Sequence, residues 1–456
     1  MMVTVTEGAS PLPPAARLRE LPYLVVKIVL GSSKLNPWCD NDDAVGVEWK
    51  GSNDGVYNVE DYDLAEKIAQ SIVKNYCVPN STTLGNMSPD EVLKIHKMAS
   101  DRLISDGDFR SGKKGLVMLK DQSGSGYWRM VLPAKHLKVE GWYVDVTSAP
   151  ISFDNLLEYE TIFVQRMHDW DSYYMLKKLK DAGKRLVYDI DDDIFNVPPT
   201  NPAYHVLTRD AQTAALSCMG LADVVTTTST VLAERLQIEL PDTAVKIIPN
   251  ALELGNGWLD IDKIGSPDGL KRIFWQGSAT HGEDWGECIE AIDIVMRERD
   301  NVILTILGFL PPLVQERLGL PHWKNRVQYL GFNDSETYFN IIKHVRADVG
   351  IAPLQLTPFN QAKSPIKWIE YSMMGIPTVA SNVEPYNLVI PQMDDESGEE
   401  VGILVSSVDE WKESIISCFD NPESIKVVVK NARKKVSEEY DIEKIAPFWT
   451  SALCQD

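Results

Sequence analysis

The sequence lacks the cysteine spacing of a structural metal site or of a disulfide framework. No two cysteines form a C-x-x-C pair, and all six lie far apart in the chain, at Cys39, Cys77, Cys218, Cys288, Cys418 and Cys454. Small domains held together by zinc or by disulfides need closely spaced pairs, so the spacing argues against both. A reducing compartment is the simplest location for such a chain.

Long apolar runs are missing too. No stretch approaches the roughly 20 residues needed to cross a bilayer. The first residues, M-M-V-T-V-T-E-G, have neither the basic start nor the apolar centre of a secretion signal. We therefore expect no transmembrane segment, no secretion signal and a cytoplasmic location.

Positive charge is scarce. The 45 lysines and arginines face 66 aspartates and glutamates, which gives a formal net charge of −21. Such a field repels polyanions, so a DNA partner would need a local basic patch that overcomes it. The charge therefore disfavours DNA as a partner without excluding it.

The remaining composition is typical of a globular protein, with 44% apolar and 24% charged residues over a length of 456 residues. A chain of this length is expected to form two or three domains. Residues 1–110 predict a small α+β appendage, with strands at 21–30, 44–49 and 55–59 and helices at 61–76 and 88–103. Residues 1–20, at its start, are expected to be loose. The role of the appendage stays open between acceptor binding, oligomerisation and simple packing.

From residue 115 onward, strands and helices alternate, which is typical of parallel, doubly wound sheets. We expect an α/β fold with two Rossmann-like domains facing a cleft, at 111–262 and 263–420, followed by C-terminal helices at 421–456. Ligands should bind at the carboxyl ends of the strands. The first series of strands is predicted at 115–119, 142–146, 161–164, 185–189, 224–227 and 245–248. The second is predicted at 272–275, 302–307, 327–330, 348–352, 378–380 and 402–405. Helices are predicted at 129–138, 172–182, 203–221 and 231–239, and a Gly- and Asp-rich linker at 253–269.

The most informative segment reads F-N-Q-A-K-S-P-I-K-W-I-E-Y-S-M-M-G-I-P-T-V-A-S, from residue 359 to 381. Ser364 is suited to cap a helix and Pro365 to occupy its first position. Gly375 suits the left-handed position that ends a helix, and Pro377 prevents the helix from resuming. The sequence therefore predicts a loop, a short helix and a buried strand.

Charged residues stand at the start of this helix and on one of its faces. Lys363 precedes the helix, and Lys367 and Glu370 are three residues apart, so they share a face. The start of a helix binds anionic oxygens through its free N–H groups and its dipole, and a carboxylate further along can grip a ribose diol. The layout suits a sugar nucleotide with its diphosphate at the helix start. The alternative is an ordinary amphipathic helix with a solvated Lys–Glu pair.

Residues 352–381 resemble the donor-binding signature of retaining GT-B glycosyltransferases of the glycogen-synthase-like group, often called family four. That signature reads E-G-F-G-x-x-x-x-E, followed by G-x-P-V-V-A-S. Glu370 matches the second glutamate, which in the family holds the donor ribose, and the turn and strand match at Gly375, Pro377, Ala380 and Ser381. Ala362 stands where the first glutamate would be.

Asn360, Lys363, Ser364 and Lys367 occupy the region of the missing glutamate. This N-x-x-K-S-x-x-K-x-x-E-Y form resembles a divergent branch of bacterial surface-polysaccharide and bacteriophage enzymes, so a phage-encoded chain would work in the host cytoplasm. One of the two lysines is a candidate to replace part of the role of the glutamate. Together with Arg166 and His168, which follow the strand at 161–164, the lysines are our candidate catalytic residues for contact with the sugar or the leaving phosphate.

Further segments resemble the same group in order and spacing, at 128–133, 245–252 and 273–285, so that the resemblance covers 112–455. It implies transfer of a sugar from a nucleotide-diphosphate sugar to a hydroxyl acceptor, with retention of configuration, no required metal cofactor, and terminal helices that cross back to the first Rossmann-like domain. The acceptor stays open between a glycan, a lipid-linked glycan, a protein hydroxyl and a hydroxymethylated DNA base. The base and sugar of the donor and the oligomeric state also stay open.

Two glycine-containing loops follow strands of the predicted sheets. Gly277 begins a loop in which Ser278 and Thr280 can donate to phosphate, although either could instead cap a helix that runs to Arg297. His281 in this loop is expected to be structural or to contact the sugar. The other loop comprises Gly124, Ser125 and Gly126, and its residues alone also allow a plain tight turn. The family resemblance implies that it borders the cleft on the donor or acceptor side, with Tyr127 and Arg129 nearby.

Four carboxylates stand at the end of the strand at 185–189, in the run Y-D-I-D-D-D at 188–193. Such a group can bind a divalent cation. A structural or acceptor-side role is favoured, and Asp191 is our candidate on the acceptor side.

Two other classes of function remain as alternatives. One is a non-catalytic binding or structural protein with a degenerate transferase fold, which the missing glutamate encourages. The other is a dinucleotide-dependent oxidoreductase, which shares the alternating pattern. No G-x-G-x-x-G with an acidic residue about twenty positions further on opens a predicted helix, so the second is disfavoured.

Overall fold

The computed structural model describes residues 113–120, 124–137, 142–148, 151–254, 268–331, 335–391 and 399–454, together with four short strands nearer the N-terminus. The chain divides into two compact units, Met1–Gly112 and Lys113–Asp456. The helices predicted at 61–76 and 88–103, most of the linker at 253–269, Cys39 and Cys77 lie outside the described residues. The other four cysteines are free thiols.

The first unit contains a small parallel sheet. Its central strand, β2, pairs with the other three, and the bounds are β1 (Met2–Glu7), β2 (Val25–Leu30), β3 (Gly46–Val47) and β4 (Asn58–Val59). The three strands predicted in this region each contain one of β2 to β4. The prediction of a loose start is wrong for residues 2–7, because the alternating V-T-V-T pattern there suits a strand and forms β1.

The second unit begins with a six-stranded sheet whose strands are all parallel and stand in the order β10-β9-β8-β7-β5-β6. Its strands are β5 (Lys113–Met118), β6 (Trp142–Thr147), β7 (Thr161–Gln165), β8 (Arg185–Asp189), β9 (Val224–Thr227) and β10 (Ala244–Ile247). Every residue of β7 and β9 is buried, as expected for strands covered on both faces. The strand order reverses between β5 and β7, which is where ligands bind in such sheets.

A second six-stranded parallel sheet follows, in the order β13-β12-β11-β14-β15-β16. Its strands are β11 (Lys271–Gly277), β12 (Val302–Gly308), β13 (Val327–Tyr329), β14 (Val349–Ala352), β15 (Thr378–Ser381) and β16 (Ile403–Val405). The order reverses between β11 and β14. The prediction of two Rossmann-like sheets is confirmed, and we refer to residues 113–254 as the first half and to residues 268–405 as the second half.

Helices connect the strands. In the first half they are Gly124–Gly126, the π turn Tyr127–Val131, Leu132–His136, Phe153–Leu156, Trp170–Asp181, the 3-10 turn Pro202–His205, Arg209–Leu221 and Thr230–Glu239. In the second half they are the 3-10 turns Ala279–His281 and Glu283–Glu287, then Ile289–Glu298, Pro312–Gln315, Ser335–Ile342, Pro358–Gln361, Ile366–Met374 and Tyr386–Val389. Three terminal helices follow, Val408–Asp420, Pro422–Glu439 and Ile442–Leu453. None of the helices in the described ranges has the length and apolar content that crossing a membrane would need.

Two helix predictions need correction. The glycine loop predicted at 124–126 is helical and forms the first turn of a helical segment that continues without a break to His136. The single helix predicted at 203–221 is two elements, since Thr208 caps a new helix by accepting from the Ala211 amide.

The last helix lies against the first sheet. The Thr161 hydroxyl donates to the Leu453 carbonyl at 2.9 Å, and Arg185 Nε donates to the Ala452 carbonyl at 3.1 Å. The Phe163 and Trp449 rings are 6.4 Å apart between centroids. These contacts connect the end of the chain to the first half, and one hydrophobic cluster runs through residues of both halves.

Candidate active site

A cleft of about 410 Å³ lies between the carboxyl ends of the two large sheets. The strands at both reversal points, β5 and β7 in the first half and β11 and β14 in the second, lead into loops that line it. The first half contributes Gly124, Ser125, Tyr127, Trp128, Arg166, Asp191, Asp192 and Asn250. The second half contributes mainly Gln276, Gly277, Ser278, Thr280, His281, Lys363, Ser364, Lys367 and Glu370. The cleft therefore brings together most residues predicted at the two walls.

Three glycines line the cleft at the ends of β11, β12 and β13: Gly277, Gly308 and Gly331. Gly308 has φ of +105°, and a side chain there would meet the Gly277 carbonyl oxygen at 2.4 Å. A side chain on Gly277 would meet the Trp275 ring at 2.6 Å. Only glycine allows this close approach, which keeps the strand ends clear of side chains.

The helix Ile366–Met374 begins at the cleft. Gly375 ends it with φ of +76°, as predicted. The predicted cap is wrong, because Pro365 takes the capping position and no side chain accepts from the first turn. The Ser364 hydroxyl instead accepts a hydrogen bond from Asn250 Nδ2 of the first half at 2.8 Å. The amides of the first turn thus keep no internal acceptor, which suits an anion.

A hydrogen-bonded chain positions Lys367. Its ammonium lies 3.0 Å from His281 Nε2, and His281 Nδ1 lies 2.8 Å from Asp284 Oδ2. The other oxygen of Asp284 accepts from Asn360 Nδ2 at 2.7 Å and from the Gln355 amide at 3.0 Å. Asn360 therefore supports this chain from a smaller neighbouring cavity of about 120 Å³ and does not line the cleft.

The protonation states follow from burial. Burial and the Lys367 and Lys363 charges lower the pKa of His281 to about 3. The imidazole is therefore neutral, and we assign its proton to Nδ1, which donates to Asp284 and leaves Nε2 to accept from Lys367. Burial and the nearby Lys363 charge also lower the pKa of Lys367 to about 8. His281 thus holds an ammonium group in the cleft wall.

Lys363 contacts both halves. Its ammonium lies 4.4 Å from the centre of the Phe359 ring and 3.3 Å from Asp192 Oδ1 of the first half. Lys363 and Lys367 both line the cleft, and each is at most 9% exposed. Two cationic groups therefore converge where the helix begins.

Glu370 is 1% exposed and lines the cleft next to Lys367. Gln276 Nε2 donates to its Oε2 at 2.6 Å, and the Tyr338 hydroxyl donates to its Oε1 at 2.9 Å. Burial raises the pKa of Glu370 to about 7, although the Tyr338 hydrogen bond and the Lys367 charge act in the opposite direction. The carboxylate is thus fixed in orientation by donors from two other elements.

Ala362, at the position of the missing glutamate, is fully buried among apolar residues of the first half. Its carbonyl accepts from the Ser229 hydroxyl at 2.7 Å, and Arg235 donates to the Pro358 carbonyl at 2.6 Å. The loop before the helix is therefore docked on the first half. A small apolar side chain is required there because the space is occupied by the core of the other domain.

On the first-half wall, Ser125, Arg166 and Asp191 stand together. The Ser125 hydroxyl donates to Asp191 Oδ2, and Arg166 Nε lies 3.6 Å from Asp191 Oδ1. His168 does not line the cleft, and its Nδ1 lies 3.1 Å from the Arg166 carbonyl. Burial lowers the pKa of His168, so a neutral ring is expected there.

Arg129 and Gly126 are not among the residues that line the cleft. The Arg129 guanidinium is fully buried, donates to Asp189 at 2.6 Å, and lies 4.8 Å from the Trp449 ring. Asp189 also accepts from the Thr226 hydroxyl at 2.7 Å. This pair supports the wall from behind and has no access to a ligand.

The four carboxylates after β8 bind separate partners. Asp189 pairs with Arg129, Asp191 with Ser125 and Arg166, Asp192 with Lys363, and Asp193 with Arg235 at 2.6 Å. Within the described ranges, no three His, Cys, Asp or Glu side chains form a group able to hold a metal ion.

The Gly277 loop differs from one of its predicted forms. Ser278 and Thr280 lie 2.8 Å apart through their hydroxyl oxygens, and the helix Ile289–Glu298 starts without any side-chain cap. The alternative that these hydroxyls cap the helix is therefore wrong, because two 3-10 turns separate them from it. Both hydroxyls line the cleft.

The sequence alone did not identify several residues that organise the site. They are Asp284 behind His281, Gln276 and Tyr338 on Glu370, Asn250 on Ser364, and Asp192 on Lys363. Each belongs to an element remote in sequence from its partner, except Asp284, which lies three residues after His281. The three-residue spacing between His281 and Asp284 is the one local signal from which such a partner could have been predicted.

Comparison with known proteins adds three findings. Residues 271–421 match the family model described as Glycosyl transferases group 1. The fold is similar to HepE from Anabaena in complex with UDP-glucose, with a TM-score of 0.54 and 14% identity over 75% of this chain and 99% of that chain. It is also similar to sucrose-phosphate synthase from Thermosynechococcus elongatus, with a TM-score of 0.52 and 18% identity over 74% of this chain and 97% of that chain. Among curated proteins, a sequence search gives no match. The predicted GT-B fold and glycosyltransferase class are confirmed.

Proposed function

We propose that this glycosyltransferase moves a sugar from a nucleotide-diphosphate sugar to a hydroxyl acceptor, with retention of the anomeric configuration. The observation that carries the proposal is the convergence of Lys363, Lys367, Glu370 and an uncapped helix start in one cleft. HepE, whose fold is similar, is known in complex with UDP-glucose. Retention rests on the family resemblance of residues 352–381.

The diphosphate would bind at the start of the helix Ile366–Met374. Lys367 is already aimed and held by His281, and Lys363 reaches the cleft from the preceding loop. Preorganised cations and amides stabilise the charge that develops as a phosphate leaves. Lys363 would exchange its contact with Asp192 for a phosphate oxygen, since both are anionic oxygen acceptors.

The ribose would bind at Glu370. Each of its oxygens accepts one hydrogen bond, from Gln276 or from Tyr338. A carboxylate has about four lone-pair sites, so two remain for a pair of ribose hydroxyls. The hydrogen bonds already present fix the plane of the carboxylate and so its direction toward a diol.

In the reaction, the bond between the anomeric carbon and the diphosphate oxygen breaks, and its electron pair stays on the diphosphate. The acceptor oxygen forms a new bond to that carbon on the same face, and its proton passes to the departing phosphate oxygen. The lysines provide positive charge at this point.

A thermal-shift panel of UDP-, GDP-, ADP- and CMP-sugars tests the donor class. We expect at least one nucleotide-diphosphate sugar to stabilise the protein, by about 2.7 kcal/mol at a concentration of 100 times Kd. Glu370→Ala should remove most of that shift. The control Glu234→Ala, at an exposed position of the first half, should keep it. Absence of any shift, or an undiminished shift in the Glu370 variant, contradicts the proposed donor site.

Two titratable groups, the Glu370 carboxyl and the Lys367 amine, are expected to determine how kcat/KM for the donor changes with pH. Glu370 must be ionised to accept two ribose hydroxyls, so activity should rise as pH passes about 7. Lys367 must be protonated, and since its pKa is about 8 in the free protein, activity should fall above that pH. Bound phosphate favours the charged lysine, so the falling limb of kcat should lie at higher pH than that of kcat/KM.

Lys367→Arg provides the control for this assignment. Arginine keeps its proton throughout the accessible range, so the falling limb should disappear in this variant while the rising limb stays. A falling limb that persists in Lys367→Arg would assign it to another group.

A further inference from the structure

The first-half wall of the cleft holds a cluster of polar side chains. The single hydroxyl proton of Ser125 determines how its hydrogen bonds run. The Ser125 hydroxyl donates its only proton to Asp191 Oδ2, and its oxygen accepts from Gln165 Nε2 at 3.1 Å. Because Ser125 has no second proton to give, the amide of Gln165 must present its NH₂ group to the serine. The amide oxygen of Gln165 is therefore directed away from Ser125.

Two buried oxygens of this cluster accept no hydrogen bond in the described part of the chain, Gln165 Oε1 and Asp191 Oδ1. Arg166 Nε is 3.6 Å from Asp191 Oδ1, which is an ion pair but too long for a hydrogen bond. Buried acceptors are nearly always satisfied in folded proteins. Both oxygens are buried in the free protein, but Asp191 lines the cleft with a side chain that is 15% exposed and Gln165 does not line it, so Asp191 is the one that stands beside a bound ligand.

The backbone supports a ligand-binding role for this wall. Arg166, directly after β7, has φ of +48°, a left-handed conformation that is uncommon for residues other than glycine. Such conformations persist where the surrounding structure holds them and are concentrated at functional sites. Here the conformation sets Arg166 beside Asp191. Although burial raises the pKa of Asp191, the Arg166 charge and the Ser125 hydrogen bond hold it below its usual value.

An ionised carboxylate can only accept hydrogen bonds, so a ligand that binds to Asp191 must supply an O–H or N–H donor. In the proposed donor complex Lys363 leaves Asp192 for a phosphate oxygen, so this wall then holds the Asp191 and Asp192 carboxylates against the single positive charge of Arg166 and is net negative. A phosphorylated acceptor or a DNA strand would meet like charge there. An uncharged molecule with several hydroxyls meets a hydrogen-bond acceptor.

We infer that Asp191 is the acceptor-binding group of the transferase, and that the acceptor is an uncharged polyol, such as a sugar unit of a glycan. This inference rests on the proposed function. One hydroxyl of the acceptor reacts at the anomeric carbon and gives its proton to the leaving phosphate, while a neighbouring hydroxyl donates to Asp191 Oδ1. Asp191 orients the acceptor and takes no part in donor binding.

The test compares Asp191→Asn with the adjacent Asp192→Asn, which makes the same change of charge one residue away. The donor is the nucleotide sugar that gives the largest thermal shift, and the acceptors are methyl glycosides of glucose, galactose, mannose and N-acetylglucosamine. Glucose 6-phosphate and a hydroxymethylated DNA oligonucleotide serve as charged acceptors. Donor affinity, donor hydrolysis and transfer are measured for each variant.

For Asp191→Asn we expect transfer to the methyl glycosides to fall by about 10- to 100-fold, the range for a hydrogen bond to a charged group. Donor affinity and donor hydrolysis should stay within about twofold, because neither uses this oxygen. Asp192→Asn should instead raise donor affinity, since it removes the group that competes with phosphate for Lys363. A purely structural role of Asp191 would lower all three quantities together.

Ser125→Ala is a second test of the same contact, for use if Asp191→Asn does not fold. It removes the donor to Asp191 Oδ2 and should lower transfer in the same direction by a smaller factor, with unchanged donor affinity. The inference is overturned if Asp191→Asn transfers at the wild-type rate, if no uncharged polyol serves as acceptor, or if a charged acceptor is preferred. A wild-type protein that binds no nucleotide sugar refutes the proposed function itself and is recognised before any acceptor is added.

Discussion

Replacing Lys367 with methionine is expected to slow sugar transfer by about 10² to 10³, the cost of losing one preorganised donor to a developing anion. The methionine keeps the length of the side chain and removes its charge. His281 and Asp284 should remain in place, because the His281–Asp284 hydrogen bond does not depend on the lysine. The loss should therefore appear in kcat and in the affinity for the nucleotide diphosphate product, with little change in the melting temperature.

The matched control is Lys177→Met, which removes an exposed lysine paired only with Asp181 on the surface of the first half. It should leave transfer unchanged, since solvated surface pairs contribute about 0–1 kcal/mol. Lys363→Met should also reduce transfer, though less, because Lys363 must first leave Asp192. Near wild-type turnover in Lys367→Met would move the diphosphate site away from this helix.

The sheets of the second unit could be predicted from sequence because most of their inner strands are buried on both faces. Runs such as T-I-F-V-Q in β7 and V-I-L-T-I-L-G in β12 have a mainly apolar, β-branched centre and end in a polar or glycine residue. Their ends differ from the predicted ones by one or two residues, the usual uncertainty of a helix or strand boundary. The pairing order within each sheet has no local signal and became visible only in the structure.

Local chemistry predicted one end of the helix Ile366–Met374 and missed the other. Gly375 adopts the left-handed conformation because no side chain opposes it there. Ser364 does not cap the helix, because its hydroxyl oxygen accepts a hydrogen bond from Asn250 Nδ2. Asn250 lies 114 residues earlier in the chain. A capping preference of about 1 kcal/mol yields easily to a tertiary contact of similar strength.

The candidate site shows the same division. Lys363, Lys367 and Glu370 could be named from one segment and its family resemblance, and all three line the cleft. Arg129 also follows the glycine-containing segment, but its guanidinium turns inward to Asp189. A sequence position next to a cleft does not determine which way a side chain points, because that depends on partners supplied by other strands.

Restoring the family glutamate by Ala362→Glu is the second change for which we expect a large effect, and the effect should be a loss. The Ala362 side chain is fully buried and belongs to the hydrophobic cluster of the first half, which includes Leu232 and Ile194. A carboxylate without a partner in such a place costs about 3–5 kcal/mol. Urea unfolding of the variant should reveal that cost, and Ala182→Glu, at an exposed helix end, should change stability by less than about 0.5 kcal/mol.

The Ala362→Glu variant avoids this loss of stability if the 358–364 loop separates from the first half, so that water hydrates the new carboxylate. The Ser229–Ala362 and Asn250–Ser364 hydrogen bonds would then break together, and the two lysines would lose their fixed position. Stability would be retained in that case, while donor affinity and transfer would fall. A variant that is both stable and more active would contradict this account, because the glutamate would then be able to reach the donor. The packing of the two halves thus accounts for a small residue at position 362, where the resembling family has a glutamate. In the proposed donor site, Lys363 and Lys367 would take the anion-binding role.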